Sequence, residues 1–239
     1  MTQVTLLELP ARFGAVEAQR RRVDELLGRG PPGDLVLLPE LALTGYVSDD
    51  GDFDVTRFAE DVDGPTAGAL SALAKRYGCT VVGPLVERDD ARCFNALLGF
   101  GPDGARWLHY RKRHPWMPET WATPGDLPMP LVAWRGLNLT SAICFDVHFL
   151  AAECADVLAR ADLLLFASAW VEEVDSRPEL LGELARTFDL AIVNTNWGPG
   201  VPRVPGQGQS LAVHRDGRVI ARARSGQLRV DLDLAALGL

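Results

Sequence analysis

The sequence predicts an α/β fold in a single domain, and three observations carry that expectation. Short apolar runs that read as strands alternate with segments of helical periodicity. Antiparallel hairpins are inserted into that alternation, and no internal repeat or linker divides the 239 residues. A chain of this length can bury a sizeable core.

The elements follow in order. "VTLLEL" (4–9) reads as a strand, and "AVEAQRRRVDELLGRG" (15–30) as a helix with apolar residues at helical spacing and Gly30 near its end. "DLVLLPE" (34–40) is nearly continuously apolar, the pattern of a strand buried on both faces. A second helix, "TAGALSALAKRYG" (66–78), closes on Gly78, and the strand "CTVVGPLVE" (79–87) follows. "CFNALLGFGPDGARWLHYRK" (93–112) reads as a hairpin turning at Pro-Asp-Gly. Residues 113–130 are rich in Pro and Trp and lack periodicity, so a long loop is expected; such loops in compact domains tend to be functional. A strand then runs into Cys144, a helix covers 147–160, and "DLLLFAS" (162–168) is a strand. A helix from Pro178 to Phe188 precedes the buried strand "LAIVNTN" (190–196). The C-terminal part reads as a hairpin turning at Asp216-Gly217 and a last strand. The Gly-rich "GPGVPRVPGQGQS" (198–210) lacks G-x-x-x-x-G-K and opens no helix, so it reads as a loop and not as a phosphate cradle.

Composition narrows the function classes. Apolar residues make up 47% and charged residues 23%, as in ordinary soluble proteins, and the net charge is −8. That balance argues against a nucleic-acid binder, which needs clustered Lys and Arg. The one basic run, Arg20-Arg21-Arg22, lies beside Glu17, Asp24 and Glu25 and reads as a solvated helix face. No apolar run approaches the ~18 residues of a membrane span. The N-terminal segment lacks the basic and apolar regions of a signal peptide, and the four cysteines form no C-x-x-C pair. A reduced, cytoplasmic protein is expected. The four histidines show no metal-ligand spacing, so no metal site is expected.

Three reactive residues stand at predicted strand ends: Glu40 after "DLVLLP", Lys112 after "ARWLHYR" and Cys144 after "LNLTSAI". Strand ends are where α/β proteins place chemistry, because the scaffold is rigid there and the crevice open. Taken alone, Cys144 is either a small core side chain or a nucleophile at a strand-to-helix turn. A nucleophilic thiol needs a nearby base or positive charge, and Glu40 with Lys112 would supply both. Cys79, Cys93 and Cys154 have no such company and read as core residues. Trp116, Trp121 and Trp170 either wall a pocket or pack in the core.

With those residues in view, "LLPELALTGY" (37–46), "YRKRHPWMPET" (110–120) and "ICFDVHF" (143–149) resemble the three signature segments of the nitrilase superfamily of carbon–nitrogen hydrolases, in order and spacing. Weaker likenesses at "ADLLLFASAW" (161–170), "AIVNTNWG" (191–198) and "GQSLAVHRDGRVIA" (208–221) extend the resemblance over nearly the whole chain. It implies a four-layer α-β-β-α sandwich, two mixed sheets packed between helices. It also implies catalysis by Glu40, Lys112 and Cys144, with Glu119 positioning substrate near the lysine and the Phe145 N–H joining Lys112 in an oxyanion hole. Cys144 would attack an amide carbonyl, Glu40 would serve as general base and then acid, and a thioester would form and be hydrolysed, with no cofactor. "YRKRHPWMPETWATPG" looks most like the aliphatic-amidase branch, with a one-residue deletion before Glu119. Two departures bear on substrate and assembly. "DVHFL" stands where an Arg and a Pro-Glu pair often follow the nucleophile, which disfavours carboxylate-bearing amides and leaves His148 as either a pocket residue that contacts substrate or a satisfied surface histidine. The chain also ends soon after its last strand, so a homodimer is expected and not a large spiral. The resemblance leaves open nitrile hydrolysis or N-acyl transfer at the same site, and a catalytically silent binding protein.

Overall fold

The computed structural model describes residues 2–239. Its first half runs through β1 (Gln3–Leu7), β2 (Pro10–Arg12), α1 (Val16–Leu27), β3 (Leu35–Leu37), α2 (Pro65–Tyr77), β4 (Thr80–Asp89), β5 (Arg92–Phe100) and β6 (Arg106–Arg111). The second half holds β7 (Val132–Trp134), β8 (Leu137–Ile143), α3 (Leu150–Glu153), α4 (Ala155–Leu158), β9 (Leu163–Ser168), α5 (Arg177–Phe188) and β10 (Ala191–Asn196). It closes with β11 (Gly198–Val201), β12 (Leu211–Val213), β13 (Val219–Arg222) and β14 (Arg229–Asp233).

Two six-stranded sheets result, ordered β14-β1-β3-β4-β5-β6 and β13-β12-β10-β9-β8-β7. In each, three neighbouring strands are parallel (β1, β3 and β4; β8, β9 and β10) and the flanking pairs antiparallel. Both sheets are therefore mixed. Side-chain alternation explains why the strands read as continuous apolar runs. Val4 and Leu6 of β1 and Leu35 and Leu37 of β3 join the core shared with the second sheet. Leu7 and Val36 turn to the opposite face, against Val23, Leu26 and Leu27 of α1 and Leu70 and Ala74 of α2. On the second sheet, Leu150, Leu158, Leu181 and Leu184 bring α3, α4 and α5 into the shared core. The order is helices, sheet, sheet, helices: an α-β-β-α sandwich.

Most sequence expectations match these elements, including the cap of α2 at Gly78, whose φ of +61° is the left-handed conformation glycine favours. Three do not. The helix expected over 147–160 is replaced by a 3-10 turn, Cys144–His148, followed by the one-turn helices α3 and α4. Between them Cys154 leaves helical geometry (φ −130°, ψ 21°) with its side chain buried. The segment 198–210 is not all loop, because Gly198–Val201 pairs in parallel with Pro10–Arg12. Cys93 is half-buried, not a core residue, while Cys79 and Cys154 are buried as expected.

The long segment 113–130 carries no helix or strand; the Gly125 N–H donates to the Lys112 carbonyl, and the Arg113 and His114 N–H groups to Asp146 beside the Cys144 turn. Among the described residues, no helix is long and apolar enough to cross a membrane.

Candidate active site

Glu40 follows β3, Lys112 follows β6, Cys144 follows β8 and Ala169 follows β9. The sandwich brings all four strand ends together. Lys112 extends the antiparallel pairing of β5 and β6, its N–H donating to the Asn95 carbonyl at 2.7 Å. That register also sets the Asn95 side chain beside the lysine.

The Lys112 ammonium is fully buried between two carboxylates, 2.6 Å from Glu40 Oε1 and 2.6 Å from Glu119 Oε2. Asn95 Nδ2 donates to the same pair, at 2.8 Å to Glu40 Oε1 and 2.9 Å to Glu119 Oε1. The backbone completes the cluster: Ala169 N–H donates to Glu40 Oε2 at 2.8 Å, and Trp116 N–H to Glu119 Oε2 at 2.7 Å. A buried charge survives only when paired and hydrogen-bonded, and here every charged atom has partners. Burial alone would lower the Lys112 pKa, but the two carboxylates outweigh it and hold the ammonium above its ordinary value. Burial pushes the Glu119 carboxyl up, against the pull of Lys112.

Cys144 sits at φ +45°, a left-handed backbone that a residue with a side chain adopts only at a cost. Asp146, two residues on, holds that turn in place. Its Oδ2 accepts from Tyr110 Oη at 2.7 Å and the Ile143 N–H at 3.1 Å, and its Oδ1 from the His114 and Arg113 N–H groups at 2.9 and 3.1 Å. One buried carboxylate thereby ties the Cys144 turn to the chain just after Lys112. The thiol is pushed well above its ordinary pKa, first by burial and then by Glu40; Lys112 and the Ala169 N–H pull the other way but do not prevail.

The cysteine opens on a cavity of about 120 Å³, walled by Trp116, Phe145, Trp170 and Val171, with His148 and Glu172 as its other polar residues. His148 is exposed, its ring 5.1 Å from Phe145 and 6.0 Å from Trp170. It lies in the 3-10 turn and not on a helix. Trp121 does not line this cavity; with Trp116 it packs against the neighbouring apolar cluster that includes Tyr46 and Trp197.

The sequence model of the Carbon-nitrogen hydrolase family matches residues 23–238. The chain belongs to that family. Relatives of this carbon–nitrogen hydrolase include a protein of Pseudomonas protegens described as "Hydrolase in pqqF 5'region", 31% identical over 92% of this chain and 78% of its own. An (R)-stereoselective amidase of a Pseudomonas species is 27% identical over 85% of this chain and 74% of its own. Among solved structures, a mutant of the Nesterenkonia AN1 amidase, from the nitrilase superfamily, superposes with a TM-score of 0.82 at 25% identity, covering 99% of this chain and 92% of the other.

In this carbon–nitrogen hydrolase, Glu40, Lys112 and Glu119 are in direct contact and Cys144 adjoins them, with Trp116, Phe145, His148 and Trp170 around its cavity. Asn95 and Asp146 belong to the same arrangement, and sequence reasoning did not single them out. A polar residue inside the apolar run "CFNALL" is the signal for Asn95, since buried polar side chains need partners. Tyr46 also borders the site: its buried hydroxyl makes no hydrogen bond of good geometry. Burial and the charges of Glu119 and Glu40 hold it well above its ordinary pKa.

Proposed function

We propose that this carbon–nitrogen hydrolase cleaves small linear amides through a thioester on Cys144, releasing ammonia or an amine. The observation that carries the reading is the buried Lys112 ammonium clamped between Glu40 and Glu119 beside a cysteine that opens on a small, aromatic-walled cavity. The amidase names of two relatives accord with it.

The chemistry follows from the electrostatics. Burial and the Glu40 charge keep the thiol protonated at rest, so the proton leaves as the sulfur attacks. Sγ forms a bond to the amide carbon, Glu40 takes the thiol proton, and the carbonyl electron pair moves onto oxygen. Lys112 and the Phe145 N–H stabilise that oxyanion; removing one such donor typically costs ~3 kcal/mol of barrier. As the carbonyl re-forms, the C–N bond breaks and Glu40 returns the proton to the departing nitrogen. Water then attacks the thioester, giving its proton to Glu40; the C–S bond breaks and the thiolate takes the proton back. Amide and water become acid and ammonia or amine, and the enzyme is restored. Glu119 positions the substrate and Lys112. His148, Trp116 and Trp170 contact the acyl group.

The same reading takes residues 1–239 as one catalytic domain of a cytoplasmic homodimer that needs no cofactor; sedimentation at the mass of one chain would refute the dimer. Ammonia release from a panel of short amides and nitriles tests the reaction. The wild-type protein is expected to turn over amides and to show a trapped acyl adduct on Cys144 by mass spectrometry, and Cys144→Ala to lose both. Turnover by Cys144→Ala at the wild-type rate would sink the mechanism.

A further inference from the structure

The cavity wall carries one carboxylate that the proposed mechanism does not use, Glu172. Its surroundings fix it in place. Oε2 accepts from Trp170 Nε1 at 2.9 Å, Ser176 Oγ at 2.6 Å and Ser176 N–H at 3.2 Å. Oε1 has no hydrogen-bond donor among the described residues. The backbone that presents it is equally constrained: Trp170 N–H donates to Asn196 Oδ1 at 2.9 Å. Gly206, at φ +79°, lies so close that a β-carbon there would stand 2.7 Å from the Trp170 carbonyl oxygen and 2.8 Å from the Glu172 nitrogen. This is a rigid wall, and it holds one acceptor oxygen free.

Burial would raise the Glu172 pKa, but hydrogen bonds from Ser176 and Trp170, and His148 nearby, bring it below the ordinary carboxylate value, so it is ionised at neutral pH. Among the described residues no cation forms an ion pair with Glu172: His148 acts on it from beyond ion-pair distance, and the Lys112 ammonium is already held by Glu40 and Glu119. Among the lining residues Glu172 is the one carboxylate and His148 the one basic side chain. Trp116, Phe145 and Trp170 supply aromatic surface, whose faces attract cations. A carboxylate without an ion-pair partner, beside aromatic faces, forms an environment for a cation and repels an anion.

We infer that Glu172 selects amides whose acyl group carries an ammonium group, short amino-acyl amides, over neutral isosteres and over acyl groups ending in a carboxylate. This inference rests on the amidase reading of the same site. β-Alaninamide, butyramide and succinamate share chain length and differ in the charge of the last group. The wild-type kcat/KM is expected to be at least tenfold higher for β-alaninamide than for butyramide, with succinamate lowest and the preference weakening as salt is raised. Glu172→Gln keeps acceptors for Trp170 and Ser176 but removes the charge. It is expected to cut the β-alaninamide to butyramide ratio at least tenfold, the loss appearing in KM for β-alaninamide. Calorimetric binding of the same amides to Cys144→Ala reads the preference without turnover. A wild-type protein that hydrolyses none of them while Cys144→Ala still prefers β-alaninamide would overturn the amidase reading and leave Glu172 standing. Equal binding of β-alaninamide and butyramide, or a ratio unchanged by Glu172→Gln, would overturn the assignment.

Discussion

Asp146 hydrogen-bonds both the Cys144 turn and the chain just after Lys112, so replacing it by asparagine tests whether that turn depends on its bond set. The carboxylate is fully buried and accepts four hydrogen bonds, two on each oxygen. In Asp146→Asn the best orientation leaves the carbonyl oxygen on the Arg113 and His114 N–H groups. The new amide nitrogen then faces Tyr110 Oη, which can rotate to accept, and the Ile143 N–H, which cannot. One buried N–H is orphaned, at a cost of about 1–3 kcal/mol, and the surviving bonds lose their charge assistance. Removing a buried charge returns part of this, since burial already pushes the Asp146 carboxyl up. The net loss comes to about 2–4 kcal/mol, or roughly a 5–15 °C fall in Tm for a chain of this size. Urea unfolding followed by tryptophan fluorescence reads the stability, and kcat/KM reads the alignment of Cys144, expected to drop at least tenfold. Tyr110→Phe removes only one donor and should cost ~1 kcal/mol. A loss below about 0.5 kcal/mol in Asp146→Asn with unchanged turnover would refute the role given to this carboxylate.

Lys112→Met leaves Glu40 and Glu119 facing each other without their shared cation, and breaking a buried pair this way costs about 3–5 kcal/mol. The raised Glu119 carboxyl then binds a proton in the folded state before the unfolded chain does, so the variant should gain stability as pH falls from about 7 to 5; a flat profile over that range would contradict the electrostatics. The Cys144 thiol, held well above the ordinary thiol range, should be alkylated by iodoacetamide at a rate still rising at about pH 9, the thiolate being the reacting form. A plateau below about pH 8 would indicate a resting thiolate instead.

The sequence made Glu40, Lys112 and Cys144 visible because each ends an apolar run that had to be a buried strand, and strand ends converge in an α/β sandwich. Glu119 was harder, since it stands in a loop without periodicity; only its hydrogen bonds to Lys112 and the Trp116 N–H reveal how firmly it is held. Asn95 and the Ala169 N–H were not legible. Their relevance depends on which strands lie side by side, and that register is a tertiary property. The helix expected over 147–160 shows the same limit from the other side. Its periodicity is real, with Leu150, Cys154 and Leu158 all buried, but the backbone leaves helical geometry at Cys154 and forms two single turns. The β2–β11 pair went unseen because Pro10, Gly198, Pro199 and Gly200 carry turn chemistry that outweighs any strand signal.

The hydrogen bonds of Glu40 distinguish its two oxygens, and that difference sharpens the proposed mechanism. Oε1 accepts from both Lys112 and Asn95, whereas Oε2 accepts only from the Ala169 N–H. A carboxylate oxygen that already takes two strong bonds is a poor place to receive a proton. In the proposed mechanism Oε1 is then the anchor and Oε2 the basic atom. In that mechanism Lys112 does not generate a thiolate at rest. It fixes Glu40 so that Oε2 alone is free to take the proton, and the thiol becomes a nucleophile only when an acyl carbon is present to receive the sulfur.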